Sequence, residues 1–294
     1  MELSWLTKLR IAACLGLGAV VIGFLAWPLV APDDPYGAVL AANLTLGGLL
    51  IVAVLALLTG LLGYFLAWPY GREIGILAVP AGLAVWAARS GSVAQIIQQN
   101  PALPFRQQLF SAFRFEPLFW LAIAAVGFAG VLLGHFTARP KPTQTGEKAD
   151  SKAQQRQYFN AAIAVIASVL IGQIGIRVFV RDMALGSAVG QPATAQIIFG
   201  VFLAFGIAGF VVKKFLDANY IWPAAASALV IAFVNTIYVK ADAVESIASN
   251  LAAVFFPSAT CSILPIQMVS LGILGSVAGY WCAVRFNYWR KHEM

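Results

Sequence analysis

The sequence predicts an all-α integral membrane protein, a polytopic bundle of about eight transmembrane helices. Of the 294 residues, 61% are hydrophobic and 11% are charged, whereas a soluble domain carries roughly a quarter charged residues. The apolar residues form continuous blocks, each near the roughly 20 residues with which a helix crosses a hydrocarbon core. These blocks do not alternate as the strands of an outer-membrane barrel do. We therefore expect a multi-pass protein of a bacterial cytoplasmic membrane.

Runs without Asp, Glu, Lys, Arg or His define eight predicted spans. They cover residues 11–30, 38–66, 74–88, 117–134, 159–176, 193–212, 222–239 and 263–284. The third is the shortest of the eight and the weakest prediction.

The order of features along the chain indicates an internal duplication. Trp68-Pro69 before the third span recurs as Trp222-Pro223 before the seventh, and a glycine trio in the fourth span recurs at the same spacing in the eighth. Four spans per half is an even number, so the halves are predicted to be parallel repeats. The predicted divisions are residues 1–138, a hydrophilic cytoplasmic linker at 139–157, and residues 158–294.

The distribution of basic residues predicts the orientation. With the N-terminus in the cytoplasm, 13 of the 19 lysines and arginines fall on the cytoplasmic side, as the positive-inside rule favours. Both chain termini are then cytoplasmic, and the loops after the third and seventh spans are external.

Both of these external loops are predicted to contain amphipathic helices. Apolar residues recur at helical spacing within 242–256, and the matching segment 93–113 carries Ile96, Ile97, Leu109, Phe110 and Phe113. These helices could lie on the outer membrane surface and bind lipid or a partner. Alternatively, they could cover the ends of their own bundle.

The glycine trios are predicted helix-packing sites, because glycines on one face let two backbones approach closely in lipid. We expect spans four and eight to pack tightly through these faces, within one chain in preference to between two chains, and against each other as one arrangement. The six glycines are Gly127, Gly130, Gly134, Gly272, Gly275 and Gly279.

A few neutral polar residues lie inside the predicted spans. Asn43, Gln173 and Asn235 could line a path for a neutral solute, although hydrogen bonding between helices is the commoner use of such residues. Arg177 and Arg181, at the end of the fifth span, are candidates for binding a lipid headgroup, with simple snorkelling as the alternative.

No constellation in the sequence supports enzymatic chemistry. We found no nucleophile with a base, phosphate loop or metal-ligand cluster, so we predict neither enzyme activity nor a cofactor nor a metal site. A lipid-modifying enzyme using Glu116, Asp182, Asp242 or Arg106 is the weakest hypothesis. Nucleic-acid binding is not expected, because the basic residues are scattered between apolar blocks.

Two functional hypotheses remain. The first is a non-enzymatic scaffold or accessory subunit of a membrane complex, whose partners are the lipid bilayer and other membrane proteins or further copies of the chain. The alternative is a permease or channel for a neutral or lipophilic solute, with a path between the two halves.

Overall fold

The computed structural model describes residues 4–34, 37–99, 101–138, 151–180, 190–238, 245, 256 and 258–292. Within these ranges the chain is helical and contains no extended strand. The helices are α1 (Trp5–Gly18, continued by a π-helical segment Ala19–Leu25), α2 (Leu46–Leu66), α3 (Gly71–Ile74), α4 (Ala78–Arg89), α5 (Val93–Gln99), α6 (Leu103–Ala138), α7 (Ser151–Phe179), α8 (Thr194–Leu216), α9 (Ile221–Tyr238) and α10 (Pro265–His292). Short 3-10 turns cover Trp27–Leu29, Ala41–Asn43, Gly75–Leu77 and Ala259–Ser262.

The prediction of a helical membrane bundle is confirmed, but the count of eight spans is not. Seven helical stretches among the described residues are long and apolar enough to cross a membrane: Trp5–Leu25, Leu46–Leu66, Gly71–Arg89, Leu103–Ala138, Tyr158–Phe179, Thr194–Leu216 and Pro265–Arg290. The predicted seventh span corresponds to a shorter apolar helix, Ile221–Thr236.

The helices divide into a central group and a perimeter. Most residues of α4 and α10 are buried inside the protein, whereas α1, α2 and α7 each leave an apolar face uncovered. On α2 the uncovered residues follow one another at helical spacing: Leu50, Val54, Leu58 and Leu62. A stripe of this kind is stable against lipid and costly in water, so the perimeter indicates a lipid-facing surface.

Helix contacts occur in recurring pairs. In the N-terminal part α4 packs on α1 and α6 packs along α2, and in the C-terminal part α9 packs on α7 and α10 packs along α8. The two parts meet where α10 contacts α4 and α6, and where α9 contacts α6. We call this contact region the seam.

Two helix boundaries differ from the predicted spans. The helix of the second span begins at Leu46, because the Thr45 side chain caps it by accepting a hydrogen bond from the Gly48 amide at 3.1 Å. The helix of the fourth span begins at Leu103 and continues through Pro117. At 1.5 Å per residue it is about 54 Å long, well beyond a hydrocarbon core of about 30 Å.

The extra length of α6, together with α5, covers one end of the bundle, which we call the cap face. Ile97, Phe110 and Phe113 are almost fully buried there, and Ile96 and Leu109 are under a tenth exposed. The amphipathic segment 93–113 therefore buries its apolar face on its own bundle and not in lipid. Of the second predicted amphipathic segment, only Glu245 and Phe256 are among the described residues.

The opposite end of the bundle brings the two ends of the chain together. Ile11 of α1 and Trp281 of α10 pack against the same small cluster of Cys14, Ala67 and Ile74. We call this end the terminal face. Of the predicted linker 139–157, residues 151–157 belong to α7, and residues 139–150 lie outside the described part.

Candidate functional site

The first glycine trio lies where α6 meets α2 and α4. A Cβ atom at Gly130 would overlap the carbonyl oxygen of Leu57, and a Cβ at Gly134 would come within 2.7 Å of the Tyr64 ring. Gly127 faces the Val79 side chain, which a Cβ atom would approach to 2.5 Å. Only a residue without a side chain fits at these points, since the α2 and α6 backbones are in direct contact.

The second trio makes the equivalent contacts between α10 and its neighbours. A Cβ at Gly275 would overlap the carbonyl oxygen of Phe202, and one at Gly279 would overlap that of Gly206. Gly272 faces Ser227 of α9. The arrangement in which the two trios pack against each other is therefore not the observed one, because the backbones that they approach belong to α2 and α8.

The seam is dry and its polar groups are bonded to the backbone. The Gln267 side chain donates to the Ala87 carbonyl at 3.2 Å and accepts from the Leu264 amide at 3.1 Å. The Asn235 side chain donates to the Phe113 carbonyl at 3.4 Å. Both side chains are about 2% exposed or less, so they link the halves without contact with solvent.

The three candidate pathway residues lie in three different settings. Asn43 is exposed in the 3-10 turn before α2, where it donates to the Ala38 carbonyl at 3.2 Å. Gln173 is half-buried on α7, and Asn235 is buried in the seam. No hydrogen bond joins any two of these three described side chains. Asn43 is outside the span because the helix does not begin until Leu46.

Glu116 is the buried carboxylate of the cap. It is 7% exposed, and its Oε1 atom accepts hydrogen bonds from the Ala41 amide at 2.8 Å and the Trp120 indole at 3.1 Å. It therefore ties the chain before α2 to α6. The sequence interpretation placed Glu116 in a loop, although the apolar residues Leu109, Phe113, Pro117 and Trp120 continue at helical spacing through it.

Arg106 and Cys261 are also buried beneath the cap. Burial raises the pKa of the Cys261 thiol to about 12, and the nearby Arg106 guanidinium opposes this shift by favouring the thiolate. The thiol stays protonated at neutral pH and is a poor nucleophile. Among the residues proposed for lipid chemistry, Asp182 and Asp242 lie outside the described part of the chain.

A polar cleft of about 380 Å³ opens on the cap face between the α4–α5 connection and the start of α8. Both halves of the chain contribute to it. Its lining consists of Arg89, Ser90, Gly91, Ser92, Gln95, Gln191, Pro192, Ala193 and Thr194.

Most polar side chains of the cleft already have partners. The Ser90 hydroxyl accepts from the Val39 amide at 2.8 Å. Ser92 and Gln95 form a capping box at the start of α5, each side chain accepting from the other's amide. Gln191 accepts from the Ala94 amide at 3.1 Å and donates to the Ser262 carbonyl at 3.0 Å. These bonds fix the shape of the cleft.

Of the two arginines predicted to bind a headgroup, the structure describes one. Arg177 is exposed in the last turn of α7, and Arg181 lies outside the described residues. Within the described ranges, no group of three or more His, Cys, Asp or Glu side chains is arranged to hold a metal ion.

Comparisons of the chain with protein-family models, with curated proteins and with solved structures found no match.

Proposed function

We propose that this membrane protein is a non-enzymatic scaffold or accessory subunit of a membrane complex. The observation that carries the proposal is the dry seam, where Gln267 and Asn235 bond to backbone carbonyls of the other half. A permease with a path between the halves needs polar groups that face a shared cavity. Here the polar groups hold the halves together instead.

The proposed architecture is a pair of parallel four-helix halves related by an axis along the membrane normal. Its support is the exchange of helix pairs, since α1–α4 and α2–α6 in one half correspond to α7–α9 and α8–α10 in the other. The glycine trios take the same part in both halves, at the close contacts α2–α6 and α8–α10. A duplicated bundle that packs backbone to backbone is a rigid platform.

The proposed orientation places the terminal face in the cytoplasm and the cap face outside. Lys213, Lys214 and Arg285 lie in the last turns of α8 and α10, towards the terminal face. The Lys214 ammonium lies 4.5 Å from the centre of the Phe286 ring, and cation–aromatic pairs of this kind suit the membrane interface. This arrangement agrees with the positive-inside rule.

Site-directed photo-crosslinking in native membranes tests the scaffold role. A photoreactive amino acid at Ala102, exposed on the cap face, is expected to give an adduct with a defined membrane protein. The matched position Leu50, on the lipid-facing stripe of α2, should give lipid adducts only. Extraction in mild detergent should then recover the chain in a complex larger than itself.

The permease alternative predicts a different result. Proteoliposomes containing the purified chain would swell faster than empty liposomes in an osmotic gradient of a small neutral solute such as glycerol. Swelling of this kind, or a monodisperse single chain without adducts at the cap, would overturn the scaffold proposal.

A further inference from the structure

Arg89 is the uncommitted cation of the cap-face cleft. Its guanidinium carbon lies 4.0 Å from the centre of the Trp27 ring and 5.6 Å from that of Phe24. Stacking uses the flat face of the guanidinium and leaves its in-plane N–H donors available. Arg89 forms neither a hydrogen bond nor an ion pair with any described residue, so these donors can reach a ligand in the cleft.

The opposite wall of the cleft is the start of α8, a helix of 23 residues. Its N-cap residue is Ala193, which has no side chain to accept hydrogen bonds from the first turn. The Thr194 hydroxyl beside it also has no hydrogen-bond partner among the described residues. The first-turn amides and the helix dipole favour negative charge at this point.

We propose that this cleft binds a phosphate group held between Arg89 and the start of α8. A phosphate presents several acceptor oxygens, which the guanidinium fork, the Thr194 hydroxyl and the helix amides can bond together. The remaining polar walls are already bonded to the protein, and no carboxylate lines the cleft. The inference does not depend on the scaffold role.

Two sources could supply the phosphate: an anionic phospholipid headgroup or a soluble phosphate ester. The rim bears on this choice, because Phe24 is 58% exposed and lies on the perimeter helix α1. Arg89 thus stands at the boundary between lipid and cleft. A volume of about 380 Å³ is within the range of small-ligand sites, about 300–1,000 Å³.

The test uses the full chain purified in detergent and compares wild type with Arg89→Gln. Native mass spectrometry measures retention of phosphatidylglycerol and of phosphatidylcholine, and isothermal titration with inorganic phosphate and glycerol 3-phosphate measures soluble ligands. The matched control is Arg114→Gln, an exposed arginine of α6 that also lies against a neighbouring aromatic ring, Phe115, at 5.2 Å.

Wild type and Arg114→Gln are expected to bind at least one phosphate-containing probe equally, and Arg89→Gln to bind it about tenfold more weakly or worse, as the loss of a charged hydrogen bond implies. Selective retention of phosphatidylglycerol identifies a lipid site, whereas binding of glycerol 3-phosphate alone identifies a soluble ligand. Equal binding by Arg89→Gln and wild type, or binding by neither, overturns the proposal.

A second variant keeps the test independent of folding. Ala193→Asp places a carboxylate at the N-cap of α8, where it should raise the melting temperature by capping the helix. The same carboxylate occupies and repels the phosphate position, so binding should fall. A folded Ala193→Asp variant that binds as well as wild type would also refute the site.

Discussion

Glu116 shows what one buried carboxylate contributes to this protein. Its two hydrogen bonds, to the Ala41 amide and the Trp120 indole, connect the segment before α2 with the cap portion of α6. In a chain with few charged residues, a buried acid needs such partners, since an unpaired one is costly. We therefore expect Glu116 to fix the position of the cap.

Replacing Glu116 by alanine should destabilise the protein by about 1–3 kcal/mol, because two buried N–H groups then lack an acceptor. Glu116→Gln keeps an acceptor oxygen and should cost less. Unfolding of the purified variants in detergent measures both effects. Glu73→Ala, at an exposed acid of α3, is the control, and an unchanged stability of Glu116→Ala would contradict the assigned role.

The individual polar residues were the part of the site that sequence reasoning located least well. Asn43 was assigned to a span, although the Thr45 cap starts the helix after it. Glu116 was assigned to a loop, although it lies within α6. Both errors have one physical cause: a run without charges marks where a helix tolerates lipid, whereas capping and tertiary burial decide where the helix begins.

At the scale of elements, the glycine faces control how closely the helices approach. The trio in α6 meets the backbone of α2, and the trio in α10 meets the backbone of α8. Spacing along one helix predicted that such faces exist, because it depends only on helix geometry. The choice of partner helix depends on the fold and was not predictable from spacing.

Gly130→Ala and Gly275→Ala should each destabilise the bundle by about 1–3 kcal/mol, as overpacking does, because the added Cβ overlaps a carbonyl oxygen. Gly16→Ala and Gly47→Ala are controls, since a Cβ at either position meets nothing within 4 Å. Alanine favours a helix over glycine, so these controls should be neutral or more stable in the same unfolding measurement.

If the four alanine variants lose or gain stability to the same extent, the close approach of α2 to α6 and of α8 to α10 is not what these glycines provide. A loss confined to one trio would show that only one half depends on backbone contact.

For the whole molecule, the arrangement of helices has a topological consequence. The contacts of Ile11 with the cluster that also holds Trp281 place both chain ends at the terminal face, and the cap lies at the opposite end. If the bundle crosses the membrane in this way, the two faces must differ in their accessibility to reagents that cannot cross a membrane.

Cysteine labelling can measure this difference. In a Cys282→Ser background, which removes the exposed thiol and leaves the buried Cys14 and Cys261, we expect an impermeant maleimide to label Ala102→Cys in intact cells. Ser4→Cys should be labelled only after permeabilisation. Labelling of both positions from the same side would contradict the proposed topology, and denatured protein, in which every thiol reacts, provides the reference.

The sequence by itself determined the helical membrane class, because length and hydrophobicity of the blocks are properties of the chain alone. It also predicted the apolar face of 93–113 and the glycine faces, which follow from helical periodicity. Only the tertiary structure decided that α4 and α10 form the centre and that the cap covers the bundle. It also decided that the seam is dry and that Arg89 meets the start of α8. These features depend on which surfaces come together, and hydrophobicity along a chain does not specify the partner.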